Sequence, residues 1–159
     1  MSPTLPAFRE MFGRFIRTEL NWDAAARSGC HVSTRNCRLR TELGEFHTVW
    51  YLGPHGGRAG VNDPSARPLR VREAGAPALL TAERNLVVRE FENEFVRAGA
   101  PATLELPVYE TESGVRILLD GNHRAVAAHR SGLPVDLLIH RLHGPADAAI
   151  LPDLVHYRG

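Results

Sequence analysis

The sequence predicts an α+β fold, and three observations support that prediction. Apolar residues recur at three- and four-residue spacing over residues 6–27 and 81–99, which is typical of amphipathic helices. Runs rich in β-branched and aromatic residues at 46–52 and 135–140 predict strands. Over residues 117–132 an apolar run leads through a turn signal into a helical pattern. We therefore expect one domain that contains both helices and strands.

Composition and charge narrow the class of protein. The chain has 159 residues, of which 43% are hydrophobic, enough for one domain with a core. No apolar run approaches membrane-spanning length and no secretory signal is recognisable, so we expect a cytoplasmic protein without a membrane partner. The net charge is +1 and its charges are interspersed, so we expect no specific binding to duplex DNA. All basic residues are arginine, so an anion must be held by Arg, His or backbone N–H groups.

The N-terminal part of the chain is predicted to be mainly helical. Phe8, Phe12 and Phe15 lie on one stripe of a helical region over residues 6–27, and core packing is the simplest interpretation of this stripe. Residues 22–26 are expected either to extend this helix or to form a second one. Residues 30–45 show no clear pattern.

The cysteines and the first Gly-rich segment carry no predicted site. Cys30, His31 and Cys37 do not match a zinc motif, so the cysteines are expected to be free thiols. The Gly-rich stretch 53–60 matches no phosphate-binding motif and is interpreted as a surface connection.

The second half of the chain has clearer signals. A strand is expected at 68–72, and Thr81 is a good N-cap for a helix that ends near Gly99. The polar side of this helix carries Glu90 and Glu94, among other charged residues. A β-hairpin follows and returns through residues 115–119.

The stretch from Asp120 to Arg124 is the strongest candidate for a functional site. Gly121 permits a tight turn, and Asn122 is predicted as the N-cap of the helix that follows. Unpaired N–H groups at a helix start, next to Arg124, favour binding of an anion such as phosphate. The alternative is an ordinary strand-to-helix connection in which Asp120 or Asn122 only caps the helix.

This order of elements resembles the ParB/sulfiredoxin superfamily. The resemblance covers residues 67–143 and rests on Gly-x-x-Arg at the turn, here Gly121 to Arg124, and on the flanking hairpin and helix. Residues 1–66 have no counterpart and are expected to form an N-terminal helical extension packed on the core. Residues 144–159 are expected to form a C-terminal tail.

The departures from the superfamily favour one of its branches. Sulfiredoxins carry a catalytic Cys where this chain has Asn122, and the partition proteins carry a DNA-binding domain for which no room follows the core. Free-serine kinases have Asp before the Gly, as Asp120 is here. The resemblance therefore implies phosphotransfer from ATP or another nucleotide, with Mg²⁺, to a small hydroxylated substrate.

The resemblance also implies roles for individual residues. Asp120 would act as base or Mg²⁺ ligand, His123 as an acid or base, and Glu90 (or Glu94) as a second carboxylate. The phosphate- and substrate-binding residues would be Gly121, Asn122, His123 and Arg124. Two alternatives stay open: a nucleotide- or nucleic-acid-binding module, possibly a nuclease, and a specialised-metabolism enzyme that uses Asp120 and His123 without a nucleotide.

Overall fold

The structure is a computed structural model that describes residues 3–157. Its strands are β1 His31–Cys37, β2 His47–Leu52, β3 Arg58–Ala59, β4 Arg67–Arg70, β5 Ala102–Glu110, β6 Arg116–Leu118 and β7 Val135–His143. Its α-helices are α1 Leu5–Phe12, α2 Trp22–Arg27, α3 Arg40–Glu45, α4 Val71–Ala74, α5 Ala82–Ala98 and α6 Asn122–Ser131. Two 3₁₀ helices span Pro77–Leu79 and Pro152–Tyr157.

The strands form one mixed sheet with the order β1-β7-β5-β6-β2-β3, and β4 pairs with β2. β1 is antiparallel to β7, β7 is parallel to β5, and β5 forms an antiparallel hairpin with β6. β6 is parallel to β2. Helices α5 and α6 pack on one face of the sheet and α1 and α2 on the other, which confirms the predicted α+β class.

Each face of the sheet has its own hydrophobic core. Because side chains alternate along a strand, Val108 and Leu118 point to one core while Tyr109 and Ile117 point to the other. The first core includes residues of α6 and of α5. The second core includes residues of α1, α2 and the C-terminal 3₁₀ helix.

The N-terminal prediction was only partly right. Of the two alternatives for residues 6–27, the second helix is the one observed, but the stretch between the two helices is not helical. α1 ends at Phe12 with Gly13 as its C-cap, and α2 starts at Trp22, where the Asn21 side chain accepts from the Ala24 N–H at 3.0 Å. The unassigned residues 30–45 form β1 and α3. The predicted helical extension therefore also supplies three strands, β1, β2 and β3, to the sheet.

The later elements follow the predicted order. Thr81 caps α5 by accepting from the Arg84 N–H at 3.2 Å. Strands β5 and β7 are longer than predicted, whereas β4 ends at Arg70, before the predicted boundary. The C-terminal tail is partly regular, because it contains the second 3₁₀ helix. A hydrogen bond from the Tyr51 hydroxyl to the Asp153 carboxylate holds this helix to β2.

Candidate functional site

The turn between β6 and α6 is built on Gly121. Its φ of +79° lies in the left-handed region, and an added Cβ would be 2.9 Å from Leu106 Cδ2. Gly121 is itself the N-cap residue of α6, and its carbonyl accepts from the Ala125 N–H at 2.8 Å. The backbone of this turn therefore requires glycine.

The predicted N-cap role of Asn122 is wrong. Within the part of the chain that the structure describes, no side chain caps α6, and Asn122 is already the first helical residue. Its side chain is buried, and Oδ1 accepts from the Val49 N–H of β2 at 3.0 Å. Asn122 thus ties the start of α6 to β2, and the alternative in which Asp120 only caps the helix is wrong as well.

The five residues from Asp120 to Arg124 all line one cavity of about 490 Å³. The remaining lining residues come from the α1–α2 connection, from β2, from α5 and from the end of β6: Arg17, Thr18, Val49, Trp50, Phe91 and Leu119. Glu90 and Glu94 are exposed on α5 and do not line this cavity.

Asp120 and Arg124, which both line this cavity, form a long ion pair. Arg124 Nη2 lies 3.7 Å from Asp120 Oδ2, and both side chains are partly exposed. Such a pair contributes at most about 1 kcal/mol. A ligand or cation can therefore replace either partner at little cost.

The His123 ring packs against the ring of Trp50. Its ring is edge-on to Trp50, with ring centres 4.9 Å apart, and the Arg84 guanidinium lies 4.9 Å from the centre of the Trp50 ring. Burial, reinforced by the charge of Arg84, lowers the pKa of His123 below 6.5. The imidazole is therefore mostly neutral at pH 7 and can accept a proton.

Arg17 and Thr18 are site residues that the sequence did not reveal. They lie between α1 and α2, in a segment predicted to belong to the first helix. Thr18 Oγ1 is buried and makes no hydrogen bond within the described chain. Their place at the cavity follows from the packing of α1 on the sheet, which leaves no local signal in the sequence.

The Asp120 carboxylate suits a cation that arrives bound to a ligand. Among residues 3–157 there is no cluster of three or more His, Cys, Asp or Glu side chains suited to hold a metal ion. Mg²⁺ is commonly bound by one or two carboxylates together with phosphate oxygens and water. Asp120 fits that pattern.

The two cysteines are buried free thiols, as predicted.

The chain was compared with known proteins, and no protein-family model, curated protein or solved structure matches it. The superfamily resemblance therefore rests on the Gly121–Arg124 motif and its flanking elements. In the described part of the chain, no helix combines the length and the apolar character needed to cross a membrane.

Proposed function

We propose that the cavity at the β6–α6 turn binds the phosphates of a nucleotide and that the protein transfers a phosphoryl group to a small hydroxylated acceptor. The observation that carries this proposal is that the N-terminus of α6, Arg124 and Asp120 open into one cavity of about 490 Å³. This volume lies within the usual range of small-molecule sites.

The positive groups at this cavity favour a polyphosphate. The first N–H groups of α6 have no acceptor within the helix, and the helix dipole adds partial positive charge there. Arg124 and Arg17 add two guanidinium groups that can bind phosphate oxygens in a bidentate manner. Val49 and Phe91 supply apolar surface for the remainder of a nucleotide.

Asp120 and His123 supply the acid–base chemistry. A carboxylate beside phosphate is repulsive unless a cation bridges the two or the carboxylate takes a proton from the acceptor hydroxyl. Asp120 is placed for either role, and Mg²⁺, when bound, would neutralise charge on the phosphate oxygens. The neutral His123 imidazole is the second proton acceptor in the same cavity.

A second candidate is acid–base catalysis without a nucleotide. The observation in its favour is that His123, with its lowered pKa, and Asp120 line one cavity. Its distinguishing property is turnover that needs neither nucleotide nor Mg²⁺.

The test is a thermal-shift panel of ATP, CTP, GTP and UTP, each with and without Mg²⁺. A nucleotide at a hundred times its Kd stabilises the fold by about 2.7 kcal/mol, a rise of several degrees in Tm. Arg124→Ala should weaken its binding about ten- to a hundredfold, through loss of a charge-assisted contact.

Arg89→Ala is the matched control, because Arg89 is exposed on α5 and does not line the cavity. Absence of any nucleotide response, or equal affinity in Arg124→Ala and Arg89→Ala, would contradict the proposal.

A further inference from the structure

A second cavity of about 450 Å³ adjoins the first, because Asp120 and Arg124 line both. Its other lining residues are Met11, Phe12, Phe15 and Glu105. The shared carboxylate and guanidinium therefore stand between a phosphate-binding cavity and a second space of similar size.

Exposed apolar side chains form one part of this second cavity. Met11 is 40% exposed and Phe15 is 46% exposed, while Phe12 is buried and belongs to the core. Contiguous exposed apolar residues beside a cavity are characteristic of binding sites. The Arg14 guanidinium lies 4.8 Å from the centre of the Phe15 ring but does not line the cavity.

A carboxylate held in place forms another part. Glu105 Oε1 lies 2.7 Å from His140 Nε2, and His140 Nδ1 lies 3.3 Å from Thr34 Oγ1. The contact with Thr34 at Nδ1 holds the His140 ring in the orientation in which Nε2 faces Glu105. The Glu105 side chain remains 52% exposed, which leaves it able to accept from a ligand.

The charges of this cavity favour a cationic group on the ligand. Two carboxylates, Glu105 and Asp120, face it with one guanidinium, Arg124. An ammonium group can donate to Glu105 while an apolar substituent packs on Met11 and Phe15. Its hydroxyl then lies near Asp120, at the junction with the phosphate-binding cavity.

We infer that this second cavity is the acceptor site and that the acceptor is a primary amino alcohol with an apolar substituent. The inference rests on the proposed function for the phosphoryl transfer, though not for binding of the amino alcohol. The acceptor hydroxyl oxygen attacks the terminal phosphorus of a nucleoside triphosphate, and the bond from that phosphorus to the bridging oxygen breaks. Asp120 takes the hydroxyl proton, and the products are a phosphomonoester and a nucleoside diphosphate.

The test is calorimetric titration of the full chain with three probes, without nucleotide. Phenylalaninol carries the amine, the hydroxyl and a phenyl ring, ethanolamine lacks the ring, and phenylpropanol lacks the amine. We expect phenylalaninol to bind about tenfold more tightly than ethanolamine, from burial of the ring. It should bind about fivefold more tightly than phenylpropanol, from a partly exposed charge pair.

Two variants should remove these preferences separately. Phe15→Ser should reduce the preference over ethanolamine, and Glu105→Gln the preference over phenylpropanol. The controls are Val96→Ser and Glu94→Gln, both at exposed positions of α5 outside this cavity. They should leave both preferences unchanged.

Equal affinity for the three probes, or preferences that survive both variants, would overturn the inference. If nucleotides bind and phenylalaninol does not, the acceptor site is wrong while the phosphate site stands. If phenylalaninol binds with both preferences and no nucleotide binds, the amine site is supported and the proposed phosphotransfer is overturned.

Discussion

Asp120 follows β6 and neither caps α6 nor lies in the core. The contact described for it is the 3.7 Å ion pair with Arg124, which is too long and too exposed to contribute much stability. Because Asp120 lines two cavities, we predict a chemical role for it and not a structural one.

Replacing Asp120 with Asn separates these two explanations. We expect the Tm of Asp120→Asn to change little, because no capping bond and at most a weak ion pair are lost. We expect turnover to fall about 10²-fold or more, the usual loss for a general acid or base. The assay is nucleoside diphosphate release in the presence of phenylalaninol and Mg²⁺. Wild-type turnover in the variant would exclude Asp120 from the reaction.

His47 gives the fold a predictable sensitivity to acid. Burial, aided by the charge of Arg70, lowers the pKa of His47 from 6.5 to about 4, against smaller opposing effects of Glu73 and Glu45. Its Nδ1 is buried and has no hydrogen-bond partner among residues 3–157, and its ring lies edge-on to Tyr157.

The sign of the effect follows from proton binding. Between pH 6.5 and about 4 the unfolded chain binds more protons at His47 than the folded chain does, so stability falls as the pH falls through this range. The loss from this residue is at most about 3 kcal/mol. Urea unfolding at pH 7.5 and at pH 4.5 measures it.

His47→Gln should reduce this pH dependence, and His55→Gln, at an exposed loop position, should not. A pH dependence of the unfolding free energy that is identical in all three proteins would show that His47 does not contribute.

At the level of elements, the β6–α6 unit shows what local sequence can predict. The apolar run, Gly121 and the helical spacing are local signals, and they predicted the strand, the turn and the helix. The role of Asn122 was not predictable, because its partner Val49 lies 73 positions away on another strand. Side-chain contacts between distant elements leave no periodic pattern in the sequence.

We expect Asn122→Ala to destabilise the protein through this contact. The change leaves the Val49 N–H without its acceptor in a partly buried position, at a cost of about 1–3 kcal/mol. In a chain of this size that cost lowers Tm by roughly 2–4 °C per kcal/mol. Thermal unfolding followed by circular dichroism measures the change.

Asn93→Ala, at an exposed position of α5, is the control and should melt like the wild type. An unchanged Tm in Asn122→Ala would mean that the link between α6 and β2 is energetically neutral.

β1 shows the opposite case, an element that local sequence does not reveal. It carries polar or charged side chains at several of its positions, and few of its residues are fully buried. Its seven residues are strand because every one of them pairs with β7. The N-cap residue of α3 is Leu39, whose side chain cannot cap a helix, so the usual helix signal is also missing there.

At the scale of the whole molecule, residues 3–66 contribute strands to the sheet. They supply β1, β2 and β3, together with α1 and α2, which cover one of the two cores. A chain that starts at Ala66 would expose the edges of β7 and β6 and much of that apolar face.

We therefore expect a chain that starts at Ala66 not to fold. Circular dichroism should show no cooperative thermal transition, and size-exclusion chromatography should show aggregates or an expanded species. A truncated chain that melts cooperatively near the wild-type Tm would contradict this and would make the first 65 residues dispensable for folding.

The strand order also governs what the ribosome can assemble as it makes the chain. β1 and β2 emerge first, yet in the finished sheet they are separated by β7, β5 and β6, which emerge last. Thr34 of β1 can contact His140, its partner 106 residues later in the chain, only after β7 has been synthesised. Pairings between such distant strands form slowly, and β7 is synthesised late. Most of the polypeptide is therefore made before either face of the sheet can be packed. The nascent chain thus carries unsheltered strand edges through most of its own translation.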